Sequence, residues 1–332
     1  MEVFVMQYRT LGKTGVKVSE VSLGTWQLGS KWGDPFDVKV ADETLNTALD
    51  LGINCFDTAD VYQGGLSEKT IGSKIKTLSS PPFVITKIGR KLPKQEKSYY
   101  TEVALRDYIN DSRKNMGVEA LDMVLLHCPP TDVYYMPEVF HWMDGFKKEG
   151  LIKHYGVSVE RIEEGLKAMD YDGVEAIEII FNMFRLRPTE TFLEIAKQRN
   201  IGVIVRVPLA SGLLTGKYHE RTSFGENDHR TYNRNGERFD KGETFSGVDY
   251  FKGLEAVKKL KKVFKTEDIA AIALRWILMF DAVSTVIPGA SKKEQVIQNV
   301  EASKLPSLTT AQMKAVEDIY QTYIKDPVHY LW

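Results

Sequence analysis

Short apolar runs and longer segments of helical periodicity alternate along almost the whole chain. SLGTW precedes VADETLNTALDLG, NCFDTAD precedes SEKTIGSKIK, FVITKIG precedes YYTEVALRDYINDSRKNMG, and DMVLLHC precedes MPEVFHWMDGFKKEG. The second half repeats the scheme: KHYGVSV and IEEGLKAMD, AIEIIFNM and ETFLEIAKQRN, GVIVRVPL and DYFKGLEAVKKLKKVF, VSTVIPGA and KKEQVIQNVEA. Strands that alternate with helices of this length make parallel βαβ connections, and strands apolar throughout are covered on both faces. Eight such units predict an α/β fold of the closed (β/α)8 TIM-barrel type. An open doubly wound sheet usually has fewer strands and a glycine-rich first turn, and the chain contains no GxGxxG.

Several stretches stand outside the repeat. YRTLGKTGVKVSEV alternates around the turn from Gly12 to Gly15, which predicts an N-terminal β-hairpin. TEDIAAIALRWILMF, after the seventh repeat helix, and TTAQMKAVEDIYQTYI near the end predict two extra helices packed on the barrel. Residues 1–332 are therefore read as one domain. The polar segment 216–247 follows the seventh strand, and a loop of that length is functional or disordered. The tail DPVHYLW is expected to pack on the barrel rather than to wall a pocket.

Composition narrows the choice of partner. The 332 residues include 44 basic and 45 acidic ones, a formal net charge of −1. Such a chain has no global field to attract nucleic acid or an anionic membrane, so a small-molecule partner is expected. The two cysteines, Cys55 and Cys128, lie inside apolar runs and do not suggest a disulfide framework. MEVFVMQYRT lacks the basic and apolar regions of a signal peptide. IAAIALRWILMF is short for a membrane span and carries Arg275. A cytoplasmic location is expected, with a monomer or weak homo-oligomer.

In a barrel of this kind the active site lies at the C-terminal ends of the strands. Asp57 ends the second strand, Lys87 the third and His127 the fourth, with Tyr62 just beyond Asp57. Singly, each has an ordinary explanation: a turn cap, a solvated charge, a core histidine, a packed ring. Together they suit proton donation by a phenol to a carbonyl oxygen. A buried Lys87 is expected to make Tyr62 a stronger acid, Asp57 to hold Lys87 charged, and His127 to orient the carbonyl. A Schiff-base role for Lys87 is a further possibility.

These residues sit in motifs that resemble the aldo-keto reductase superfamily over about Tyr8 to Asn299. The motifs are LGKTG at 11–15, LGTW at 23–26, FDTADVY at 56–62, SEKTIG at 67–72, VITK at 84–87, LLH at 125–127, YGVS at 155–158, PLASGLLTGKY at 208–218 and IPGA at 287–290. The likeness is strongest to the bacterial and plant branch, with potassium-channel β-subunits as distant relatives. It implies a reductase of aldehyde or ketone carbonyls that uses NADPH, with NADH as the alternative, and the tetrad Asp57, Tyr62, Lys87 and His127. A non-catalytic dinucleotide-sensing or partner-binding subunit is the alternative reading.

The resemblance also implies a cofactor site. Thr25, Trp26, Asp57 and Ser158 fall near the nicotinamide; Pro208, Leu209 and Gly212 fall on the segment after the seventh strand. Gly289, Ala290, Ser291, Lys292, Gln295 and Asn299 fall at the adenine end. This chain departs from the family pattern in five places. Val159 stands where asparagine is usual, Glu178 where a glutamine meets the carboxamide, and Arg206 where an aromatic ring stacks. Gln295 replaces an arginine aimed at the 2′-phosphate, with Lys292 or Lys293 as expected substitutes. Arg230 and Arg234 in the long insert are expected over the pyrophosphate. Gln63, where relatives commonly have glycine, is expected to narrow the pocket mouth or touch substrate.

Overall fold

The computed structural model describes residues 6–30 and 33–332, so the first five residues of the N-terminal lead lie outside it. A hairpin of β1 (Tyr8–Thr10) and β2 (Lys17–Ser19) comes first, paired antiparallel as the alternation predicts. Eight parallel strands follow: β3 (Leu23–Gly24), β4 (Cys55–Asp57), β5 (Phe83–Ile88), β6 (Leu121–His127), β7 (Ile152–Ser158), β8 (Ala176–Ile180), β9 (Gly202–Arg206) and β10 (Val283–Val286). They pair in chain order, and isolated parallel bridges from Val21 to Val286 and from Gly24 to Gly289 join the two ends. Backbone hydrogen bonds from Ser22 to Val286 (2.8 Å) and from Gly24 to Pro288 (3.1 Å) reinforce the closure. The result is the (β/α)8 barrel expected from the repeat.

The helices are α1 (Val38–Asp50), α2 (Leu66–Ile75), α3 (Glu102–Met116), α4 (Pro137–Lys148), α5 (Ile162–Ala168), α6 (Phe192–Gln198), the single turn α7 (His229–Tyr232), α8 (Tyr250–Phe264), α9 (Ala270–Leu278), α10 (Lys293–Lys304), α11 (Thr310–Tyr323) and the single turn α12 (Lys325–Val328). None is long and apolar enough to cross a membrane. One assignment changes. The periodicity makes α8 the seventh repeat helix and α9 an addition, but α9 packs on β10 and α10 while α8 packs on α11. The extra pair is therefore α8 with α11. Two consecutive amphipathic helices look alike in sequence, and only their packing partners tell them apart.

Strand alternation decides what enters the barrel. Cys55, Ile85, Met123, Leu125, Ala176 and Ile204 form an apolar cluster with Leu11 and Val18, which the hairpin contributes to the bottom. The opposite parity, including Phe56, Val84, Val124, Leu126, Val157, Ile177 and Val203, belongs to the core shared with the helices. Two residues beyond the interior positions of β4, β5, β6, β8 and β9 stand Asp57, Lys87, His127, Glu178 and Arg206. Period two keeps them on the lumen face, one layer above the apolar floor.

The floor depends on a close approach at Gly12. It has φ +49, and a Cβ there would lie 2.1 Å from the Gly202 amide nitrogen. Gly15 has φ +70 with open space around it. Alanine at either position costs about 1 kcal/mol for the left-handed backbone, and at Gly12 overpacking adds about 1–3 kcal/mol. Urea denaturation should therefore show Gly12→Ala losing clearly more stability than Gly15→Ala; equal losses would contradict the hairpin's role in closing the barrel.

Candidate active site

The chain leaves β4 at Asp57 and reaches Tyr62, which opens a 3-10 turn over Tyr62–Gly65. Gln63, Gly64 and Gly65 have φ of 50, 63 and 90°, and this left-handed run turns the backbone from the barrel rim into α2 within a few residues. Glycine tolerates that geometry, whereas Gln63 carries a cost of about 1–2 kcal/mol. Its side chain is not at the pocket mouth as expected: Gln63 Nε2 donates to Ser30 Oγ at 2.9 Å. That bond ties the Tyr62 turn to the loop after β3.

Lys87 is the centre of the polar layer and is fully buried. Its Nζ donates to Asp57 Oδ1 at 2.6 Å, to the Thr58 carbonyl at 3.1 Å and to the Tyr62 hydroxyl at 3.2 Å. A second carboxylate, Glu178 Oε2, lies 3.4 Å from the same ammonium. Ser158 Oγ donates to Glu178 Oε1 at 3.2 Å. The His127 ring stands edge-on to Tyr62 with centroids 6.1 Å apart. The four residues expected to converge from three strands do so, and Glu178 joins them from across the lumen.

The charges around Lys87 shift each group in a definite direction. Burial alone would lower the Lys87 pKa, but Asp57, Glu178 and Tyr62 outweigh it and hold the ammonium above the ordinary lysine range. A free amine for Schiff-base chemistry is thus disfavoured. Burial, with Glu178 next, pushes the Asp57 carboxyl well up against the pull of Lys87. His127 is pushed well below its usual 6.5, first by burial and then by Arg90, Lys87 and Arg206, so the imidazole is neutral. Lys87 pulls the Tyr62 phenol down, as expected, but the net shift is upward. Burial raises the phenol, and Asp57 and Glu178 oppose the lowering effect of Lys87.

The Arg206 guanidinium is held at its edge. Its Nη2 donates to Glu160 Oε2 at 2.8 Å and to the Val159 carbonyl at 3.1 Å, and Nη1 lies 3.6 Å from Glu243 Oε1. Arg90 reaches the same carboxylates, Glu160 at 3.2 Å and Glu243 at 2.9 Å. Ligand atoms of Cys128, Glu160 and Glu243 lie within 4.8 Å of one another, but the two guanidinium groups already supply the positive charge there. Sequence reasoning missed this network. Arg90, three residues past Lys87, could have been found by the strand-end rule; Glu243, deep in the insert, had no such signal.

The insert is ordered and roofs the site. His229, Tyr232, Phe239 and Glu243 from it line a cavity of about 840 Å³ together with Trp26, Tyr62 and His127. The Trp26 ring lies 5.3 Å from His229 and 6.1 Å from both Phe239 and Tyr62. Arg230 lines the cavity but is clamped to Asp228; Arg234 donates to the Arg230 carbonyl and stacks near Phe245 and Tyr250. Trp332 packs, as expected of the tail, and pins the insert. Its Nε1 donates to Asp240 Oδ1 at 2.8 Å and its ring lies 4.1 Å from the Arg185 guanidinium. A Cβ on Gly247 would meet that ring at 2.2 Å.

The same cavity is lined by Asp57, Glu178, Arg206, Pro208, Leu209, Gly212, Gly289, Ser291, Lys292 and Gln295. Thr25, Lys87, Ser158 and Asn299 are not among its lining residues. Thr25 Oγ1 donates to the Asp57 carbonyl at 2.7 Å and accepts from Ser67 at 2.8 Å, and Asn299 Nδ2 donates to the Gly289 carbonyl at 3.5 Å. These two hold backbone. Gln295 is turned back onto Ser291, accepting from its N–H at 2.7 Å and its hydroxyl at 3.0 Å. Lys293 pairs with Glu43 at 3.1 Å, which leaves Lys292 as the lysine of the pair that faces the cavity.

The sequence model of the Aldo/keto reductase family matches residues 20–321. The uncharacterized oxidoreductase YqkF of Bacillus subtilis is 27% identical over 96% of this chain and 99% of its own. A putative voltage-gated potassium channel subunit beta of Schizosaccharomyces pombe is 30% identical over 94% of this chain and 92% of its own. The solved glycerol dehydrogenase AKR11B4 from Gluconobacter oxydans superposes with a TM-score of 0.77 at 27% identity, covering 100% of this chain and 99% of that one.

The two cavity histidines give a pH test. Burial lowers His229 to about 4 and His127 goes below its usual value too, whereas an unfolded histidine titrates near 6.5. The unfolded chain thus binds protons that the fold excludes, so this contribution is present above about pH 6.5 and lost as pH falls. For His229 it amounts to about 3 kcal/mol, lost between about pH 6.5 and 4. NMR of the His229 imidazole should show the ring neutral at about pH 5.5; protonation at that pH would contradict the burial argument.

Proposed function

The chain belongs to the aldo/keto reductase family, and from that premise we propose that it is an NADPH-dependent oxidoreductase that reduces aldehyde or ketone carbonyls to alcohols, reversibly, with Tyr62 as the general acid. The observation that carries this reading is the Lys87–Tyr62 contact of 3.2 Å at the foot of a cavity that also exposes His127.

The residues present fit a dinucleotide. The cavity runs from Tyr62 to Lys292 at the start of α10, where a helix N-terminus and a lysine suit a phosphate. Buried Arg90 and Arg206 each keep an Nε without a hydrogen bond. Gly212, at φ +97, lets the backbone after β9 turn beneath the cavity. When bound, the cofactor supplies the hydride at its nicotinamide C4. Asp57, Glu178 and Arg206 face that end of the cavity, and Ser158 reaches it through its bond to Glu178.

Tyr62 is protonated at neutral pH because burial raises its pKa, and this is the form that can donate. It gives its proton to the substrate oxygen, and Lys87 stabilises the phenolate left behind. Neutral His127 donates an N–H to the same oxygen and orients the carbonyl. Asp57 keeps the ammonium in place. Trp26, Tyr232 and Phe239 restrict water around the reacting carbon and present aromatic walls to the substrate.

The NADPH preference rests on Lys292 and is modest, because Lys293 is engaged with Glu43 and Gln295 with Ser291. The potassium-channel relatives favour a second reading, a dinucleotide-sensing subunit without turnover. Tight cofactor binding with no reduction across a broad carbonyl panel would support that second reading.

Tyr62→Phe should lower kcat for NADPH-dependent reduction of 4-nitrobenzaldehyde by about 10²–10⁴-fold, with the NADPH Kd from fluorescence quenching unchanged within about twofold. Full activity in the variant would remove Tyr62 from its role. In the same titrations NADPH should bind no more than about 100-fold tighter than NADH, a ceiling of about 2.7 kcal/mol, and Lys292→Ala should erase the difference. A preference of several orders of magnitude would contradict the adenine-end assignment.

A further inference from the structure

Asp57 and Glu178 both approach one ammonium and lie within hydrogen-bonding reach of each other. Asp57 Oδ1 is 2.6 Å from Lys87 Nζ and Glu178 Oε2 is 3.4 Å from it. Both carboxyl groups are buried, and each has one oxygen without a hydrogen bond: Oδ2 of Asp57 and Oε2 of Glu178. A single proton shared between the two groups would give both orphaned oxygens a partner and leave one negative charge against one positive. Two like charges this close in a desolvated site do not both ionise freely.

The other groups facing the pair do not remove this demand. Arg206 Nε is 3.9 Å from Glu178 Oε1, but its closer contacts are to Glu160 and Glu243. Ser158 donates to Glu178 Oε1 only. Tyr62 is already bonded to Lys87, His127 is neutral, and Cys55, one turn of the strand below Asp57, has its thiol pushed up to about 12 by burial. Burial and Glu178 likewise raise the Asp57 carboxyl.

Resting on the function proposed above, we infer that Asp57 and Glu178 hold one proton between them in the dinucleotide-free site and release it when the oxidised, cationic nicotinamide binds, so that binding of oxidised cofactor is coupled to proton loss and binding of reduced cofactor is not. Hydride and proton go to the two atoms of one C=O bond, so the ring must come close to the Tyr62 hydroxyl. Glu178 lies within two contact lengths of that hydroxyl, through Lys87. The ring is neutral before it gives up hydride and positive afterwards; at this range a positive charge displaces a proton from the carboxyl pair. The family's usual glutamine at this position has no proton to release, so the property belongs to this chain's Glu178.

Isothermal titration calorimetry of the full chain near pH 7, in buffers of different ionisation enthalpy, measures the protons exchanged on binding NADP⁺ and NADPH. Wild type should release more protons with NADP⁺ than with NADPH, the difference approaching one, and the Kd ratio should shift toward NADP⁺ as pH rises, by up to about tenfold per unit. The 2′-phosphate is common to both ligands and cancels in the comparison. Glu178→Gln should abolish the difference and Glu178→Asp should keep it. Equal proton exchange for the two cofactors in wild type, or an unchanged difference in Glu178→Gln, overturns the inference while leaving the reductase reading intact. Failure of wild type to bind either dinucleotide overturns both.

Discussion

A single ammonium, buried completely inside the mouth of a barrel, sets the terms for the rest of this site. Lys87 has no exposed surface, and a desolvated charge is tolerated only when it is paired and hydrogen-bonded. Its partners come from three places in the fold: Asp57 and Thr58 at the end of β4, Tyr62 in the turn beyond, and Glu178 on β8. β4 is the neighbour of β5, but β8 is not, so the ion pair with Glu178 spans the lumen. Removing one partner of such a pair typically costs about 3–5 kcal/mol, which makes the polar layer part of what holds the mouth in shape.

Two features enclose that layer. Below it, the hairpin pushes Leu11 and Val18 into the barrel among the apolar strand residues. Above it, the insert brings Glu243 onto Arg90 and Arg206 and carries aromatic rings over Trp26. Trp332 holds the insert down through Asp240 and Arg185. A low local dielectric explains why pKa values move so far here, and why Tyr62 remains protonated despite the adjacent ammonium.

Two departures from the family pattern are linked by the structure. Arg206 lies 3.9 Å from Glu178 through Nε but makes its closer contacts to Glu160 and Glu243. Glu178 therefore falls to Lys87, which Asp57 already engages. An aromatic ring at 206 and a glutamine at 178 would each be neutral. Arginine and glutamate put two extra charges into the floor of the pocket, and the arrangement of their partners decides where the negative one acts.

Period-two and period-3.6 patterns carried the barrel, the hairpin and the positions of Asp57, Tyr62, Lys87 and His127, because strand parity and strand-end location are local properties of a repeating fold. Glu178 and Arg206 were expected at the site only through the family resemblance. Local pattern could not say which of α8 and α9 completes the outer ring, since both are amphipathic and only packing separates them. It could not show that Gln63 turns to Ser30 or that Gln295 folds onto Ser291, because a side chain's partner depends on what the chain brings beside it. The direction of the Tyr62 shift was misjudged for the same reason. Lys87 was visible as a neighbour in sequence motifs, whereas the burial that raises the phenol, and after it the opposing carboxylates of Asp57 and of Glu178 from across the barrel, depend on the closed tertiary structure.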